Sequence, residues 1–182
     1  MRKHYIYIIP MIIAMIGCEQ NIVGPPGRDG LDGLDGLDGE EAFVFEYEFD
    51  FTFPEYSVLL DLPSDFTMLD SDVMLAYLLW DVAEDGTEVW RALPQSLYFQ
   101  DGILEYNYDF TKFDASIFLD GTVNLDGLGA DLTDGWIARL VVVPGQFSGR
   151  TVIDYNDYNQ VKELYKLPSS KLVSKDYPKR PQ

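Results

Sequence analysis

Phe43-Val44-Phe45-Glu46-Tyr47-Glu48-Phe49-Asp50-Phe51-Thr52-Phe53 is the stretch that decides the fold. Every second residue is aromatic, and acids, Val44 and Thr52 fill the places between. A strand turns successive side chains to opposite faces, so this spacing makes one aromatic face and one acidic face. The stretch reads as a half-buried β-strand, ended by Pro54.

The pattern continues toward the C-terminus. Ser57–Leu62 reads as a second strand, stopped by Pro63. Val73–Val82 is almost continuously apolar and bounded by turn residues, which fits a central strand buried on both faces. Glu84-Asp85-Gly86 is a hairpin turn, and Thr87–Leu93 returns from it. Ser96–Phe99 and Ile103–Phe110 form a second hairpin around Asp101-Gly102, a pair suited to turn positions of positive φ. In the return strand Leu104, Tyr106, Tyr108 and Phe110 share one face. Ile117–Leu119 leads to another turn at Asp120-Gly121, and Trp136–Val143 is the last strong strand. Short strands with regular turn signals predict a mainly β fold, an antiparallel, immunoglobulin-like β-sandwich over residues 40–149. A barrel is the alternative.

Residues 150–182 change character. Asp154 is placed to cap a helix over Tyr155–Leu167, with Pro168 as its stop. Tyr158, Val161, Leu164 and Tyr165 make one apolar stripe on it. The stripe either packs on the sandwich or docks to a partner protein. The tail Ser169–Gln182 is polar and basic, and reads as loose.

Upstream of the sandwich, glycine recurs at 24, 27, 30, 33, 36 and 39 without a slip. The strict period of three resembles a collagen repeat. One Pro-Pro triplet and four repeated aspartates leave little stability for a triple helix, so a spacer is expected over a trimerising element. Residues 19–39 would reach about 65 Å as a polyproline-II segment. Farther back, Arg2 and Lys3 precede an apolar run from Tyr5 to Ile16, interrupted by Pro10 and shorter than the roughly 20 apolar residues of a membrane span. The run closes on Met15-Ile16-Gly17-Cys18.

That box resembles the end of a bacterial lipoprotein signal, with Met15 standing where leucine is typical. The resemblance implies cleavage before Cys18, diacylglycerol in thioether linkage on its sulfur and a third acyl chain, such as palmitate, on its new amino group. Box and spacer together resemble cell-envelope lipoproteins of the Bacteroidetes type. They imply a signal peptide at 1–17, a lipidated spacer at 18–39, and a periplasmic or surface-exposed domain held to the outer membrane. The resemblance covers the first 40 or so residues and names no activity.

Charge narrows the partners. The chain carries −18 in its 182 residues. Residues 40–149 hold 22 acids against Arg91, Lys112 and Arg139, a net of −19, whereas residues 150–182 hold seven cations against four acids, a net of +3. An acidic body repels nucleic-acid phosphates. His4 is the sole histidine and Cys18 the sole cysteine. A chain cleaved and lipidated at Cys18 has neither imidazole nor free thiol, so catalytic triads, Cys-His chemistry and zinc sites fall away. A carboxylate-dependent hydrolase stays open as the least favoured reading. Asp120, Asn124, Asp126, Asp131 and Asp134 lie in a glycine-rich stretch and suit either calcium or turn stabilisation. Trp80, Trp90 and Trp136 suit a core, or the aromatic platform of a glycan-binding module. The leading expectation is a non-enzymatic envelope lipoprotein with a structural or protein-interaction role. It is a monomer outside its complex and takes no cofactor beyond the covalent lipid, with calcium open.

Overall fold

Among the described residues, eight strands form two antiparallel sheets packed face to face. The computed structural model describes residues 42–145, 153–173, 177–178 and 180–181. The signal segment, Cys18 and the Gly-x-y repeat lie outside the described residues. The first sheet contains β1 (Phe43–Phe49), β8 (Trp136–Val143), β3 (Val73–Val82) and β4 (Glu88–Ala92), side by side in that order. The second contains β2 (Ser57–Asp61), β7 (Asp114–Gly121), β6 (Gly102–Phe110) and β5 (Gln95–Phe99). The expected antiparallel sandwich is therefore present. It shares two-layer architecture with immunoglobulin-like domains but has its own strand order, because β1 and β2 sit in different sheets.

Strand β3 is buried on both faces, as its apolar run demands. Met74, Ala76, Leu78 and Trp80 point into the core between the sheets, while Tyr77 and Leu79 point to the other side. Strand β8 does the same, with all eight residues buried. Trp136, Ala138, Leu140 and Val142 meet Leu104 and Tyr106 of β6 and Ala115, Ile117 and Leu119 of β7. Each fully buried leucine, isoleucine or valine among them contributes about 1.5–3 kcal/mol by leaving water.

Three local readings are corrected. Strand β1 stops at Phe49, whose partner Trp136 is the first residue of β8. Beyond it Phe51 stays in the core, its N–H bound to the Thr133 carbonyl at 2.8 Å, and Phe53 stands 70% exposed in the following turn. The β5–β6 loop is Gln100-Asp101, since Gly102 already pairs with Phe99. Asp120-Gly121 is the end of β7, where Gly121 pairs with Leu104. Gly121 has φ +135°, and a Cβ there would strike the Ile103 carbonyl. Close approach of two backbones, not a chain reversal, explains this glycine.

Candidate functional site

One-turn helix α1 (Ala130–Thr133) precedes β8, and a second short helix, α2 (Tyr158–Tyr165), with the chain after it covers the outer face of the first sheet. The cap is Asp157, not Asp154. Asp157 accepts the Asn159 N–H at 2.9 Å and the Gln160 N–H at 3.4 Å. Hydrogen bonds, first from the Gln160 side chain, hold its carboxyl below the ordinary carboxylate range. Asp154 instead orders the preceding turn by accepting the Asn156 N–H at 3.0 Å. The helix ends on Lys166 in the left-handed conformation, φ 52°.

The predicted stripe is used up within the molecule. Tyr158, Val161 and Tyr165 are buried and Leu164 half-buried against Tyr77, Leu79, Trp90, Ile137 and Val141. The Tyr158 ring lies 5.1 Å from Tyr77 and 5.6 Å from Trp90. The Tyr77 hydroxyl donates to the Tyr155 carbonyl at 2.7 Å, and burial pushes this phenol far up. As a partner-docking stripe, Tyr158, Val161, Leu164 and Tyr165 are thus corrected: burial of their own sheet's apolar face takes the surface a partner would need. Residues 153–173 belong to the same compact unit as the sandwich.

Beneath this cover lies a charged cluster. Arg139 on β8 is fully buried and faces outward between Glu46 of β1 and Glu88 of β4. Its Nε donates to Glu46 Oε1 at 2.9 Å, its Nη2 to the same oxygen, and its Nη1 to the Tyr158 hydroxyl. Glu88 Oε2 stands 3.7 Å away and accepts from the Trp90 indole at 2.8 Å. The guanidinium also lies 4.3 Å from the Trp90 ring centroid. Chain after the helix closes over the acids: Ser170 N–H donates to Glu88 at 2.8 Å, and Ser170 Oγ donates to Glu46 at 3.1 Å. A polar cleft of about 270 Å³ over the β3–β4 turn and a mixed one of about 310 Å³ beside Glu46 flank Ser169, because this strap bridges between them. An apolar strand with one arginine in it was the available signal, since a buried cation demands a partner.

The expectation of a loose tail is also corrected for its described residues. The Tyr177 hydroxyl donates to the Leu79 carbonyl at 2.9 Å. Arg180 is 2% exposed and lies at the end of the sandwich, 4.0 Å from the Trp136 ring centroid. No periodicity marks a single anchoring arginine in a polar tail, so the sequence reading missed it.

The five candidate calcium ligands take up separate duties. Asp120 accepts the Gly121 N–H at 2.7 Å, and Asp126 accepts the Tyr56 hydroxyl at 3.3 Å. Asp134 accepts the Thr133 hydroxyl at 2.8 Å, and the backbone of Asp131 receives Arg180. Asn124 precedes a single 3₁₀ turn at Leu125–Gly127 without capping it through its side chain. Among the described residues no three acidic side chains converge as a metal-holding group. All three tryptophans are core: Trp80 and Trp136 between the sheets, Trp90 under the helix.

The outer face of the second sheet is different. Leu60, Leu97, Leu104, Tyr106, Tyr108, Ala115, Ile117 and Leu119 point inward, so alternation sends their neighbours out. Those neighbours include Asp61, Glu105, Asp109, Asp114 and Asp120, and no lysine or arginine occurs in β2, β5, β6 or β7. Among them stand Leu59, 62% exposed, and Tyr98, 80% exposed. The helix and tail residues Tyr158, Val161, Tyr165, Leu167 and Tyr177 pack on the first sheet.

Comparison with known proteins adds no family: no family model, no curated protein and no solved structure matches the chain.

Proposed function

We propose that the chain is a lipid-anchored protein of the bacterial cell envelope, carried on the outer membrane, that works by holding another protein rather than by catalysis. The observation that carries this reading is Met15-Ile16-Gly17-Cys18 behind Arg2, Lys3 and a short apolar run. More than one acyl chain gives stable anchoring, and the Gly-x-y repeat serves as the spacer between membrane and sandwich. The partner presents a basic surface and docks on the open face of the second sheet. Charge complementarity supports this choice, because five carboxylates lie there on strands without a cation, and apolar Leu59 and Tyr98 offer contact area.

Intact-mass measurement of protein extracted from native membranes tests the anchor. A mature chain starting at Cys18 with added acyl mass is expected, and Cys18→Ser releases the protein from the membrane fraction. An unmodified N-terminus elsewhere removes the anchor reading. Crosslinking in those membranes tests the face: a species captured by the natural chain should be lost with Asp61→Lys and Asp109→Lys together. Equal capture at low and high salt by both chains rules the acidic face out as the docking surface.

A further inference from the structure

The tail ends Tyr177-Pro178-Lys179-Arg180-Pro181-Gln182, an arginine held in a Pro-x-x-Pro frame. Proline fixes φ near −65° and pushes the residue before it into extended conformations, so such a segment is preordered toward polyproline II. Little freedom is lost when it binds, and aromatic-lined grooves commonly receive segments of this kind.

The end of the sandwich supplies such a groove. The Arg180 guanidinium lies 4.0 Å from the Trp136 ring centroid and 5.1 Å from that of Tyr177. Its Nη1 donates to the Asp131 carbonyl at 3.0 Å, and its Nη2 donates to the Gly135 carbonyl at 2.6 Å and to the Tyr177 hydroxyl at 3.2 Å. Backbone is read as well. Arg180 N–H donates to the Trp80 carbonyl at 3.3 Å, and the Trp80 indole donates to the Pro181 carbonyl at 2.7 Å.

The Trp136, Asp131, Gly135 and Trp80 side of this seat belongs to the body, whereas Tyr177 is part of the tail. Trp136 is fixed by its indole bond to the Leu132 carbonyl at 2.9 Å and by its neighbours Trp80 and Tyr106, at 5.2 and 4.9 Å between rings. Asp131 lies in the one-turn helix α1 (Ala130–Thr133), and Gly135 follows two residues after it. The resident arginine does not fill the seat's bonding completely. Its buried Nε has no acceptor, and among the described residues no carboxylate pairs with its charge. Carbonyl dipoles and ring faces hold it instead, a planar, stacked mode of recognition that suits guanidinium over ammonium.

We infer that this end of the sandwich is a docking site for an extended, proline-framed, arginine-bearing peptide of a partner, and that the chain's own tail is its resident competitor. The inference needs neither the lipid anchor nor the open acidic face.

The test uses the full chain, its Arg180→Ala and Arg180→Lys variants, and labelled hexapeptides of the sequence 177–182. A resident ligand lowers apparent affinity by the fraction of time the seat is empty, so Arg180→Ala should bind the hexapeptide at least about tenfold more tightly than the natural chain. Binding should alter tryptophan emission, and a peptide with lysine for its arginine, or a scrambled peptide of equal charge, should bind at least about tenfold more weakly. Circular dichroism and melting establish that each variant is folded, and Arg180→Lys is the chain to read if Arg180→Ala is not. A folded variant that takes no peptide overturns the proposal. So does equal binding of all three peptides, which marks general attraction of cations to an acidic body.

Discussion

The two outer faces of this sandwich began with similar chemistry and reached opposite ends. Both carry acids at alternating strand positions. On the first sheet, Glu46 and Glu88 share one buried arginine and disappear beneath α2 and its strap. On the second, five carboxylates face outward on strands that contain no cation. The difference lies in the residues between the acids. The first sheet alternates Glu with Val44, Tyr77, Leu79, Trp90, Ile137 and Val141, an apolar field that must be covered. The second intersperses serines, Asn107 and single apolar residues, which water tolerates. Cover follows hydrophobic area, and charge then adapts to the cover.

Stability measurements can break this comparison. The largest effect is expected at Arg139. Changing it to methionine keeps the bulk but leaves Glu46 and Glu88 under the helix without their cation, and removal of one partner from a buried pair costs about 4 kcal/mol. Urea unfolding would show it, and a loss under about 1 kcal/mol would mean the cover does not desolvate the cluster. On the open face Asp109→Ala should change stability by less than about 0.5 kcal/mol, because nothing there depends on it. A large loss at Asp109 would erase the contrast between the faces.

The smallest effect sharpens the comparison at the edge of the cover. The Asp157 carboxyl is depressed below its unfolded value of 3.8. Its ionised form therefore stabilises the folded state above that value, and this contribution is lost as pH falls through the lower folded value. Protection of the α2 amides against hydrogen exchange should decline in acid, and Asp157→Asn, which still accepts the capping bonds, should flatten that decline relative to the natural chain. Parallel curves for both would assign the acid sensitivity to other groups.

Much of this was legible in the residues. The long signals survived: β3 and β8 match their apolar runs end to end, and the stripe on α2 is the face that is buried. Boundaries set by pairing did not survive, because β1 ends where β8 begins and not where its own alternation ends. The helix cap was readable but misread. Asp157 with Gln160 three residues later is the spacing of a capping box, a stronger signal than Asp154 alone. The seat of Arg180 had no local signal at all, since its partners come from β3, α1 and the turn after α1. The scatter of Asp120, Asn124, Asp126, Asp131 and Asp134 is likewise a matter of direction. Closeness in sequence brought them into one stretch, while the bonds of four of them run to four different residues, Gly121, Tyr56, Arg180 and Thr133.

Strand β8 carries a consequence for the order of folding. Among the described residues strand β1 has a single strand neighbour, and that neighbour is the last of the described strands to be made. A chain emerging from its N-terminus holds Phe43 to Phe49 ready long before Trp136 to Val143 exist to receive them. Strand β3 meets β4 early through a short turn, but its other edge waits for β8 as well. Closing that gap joins distant parts of the chain before most of the sheet is rewarded, the kind of topology that folds slowly. Any fragment ending before Trp136 leaves the middle of the first sheet missing, so the first strand synthesised is among the last to be paired.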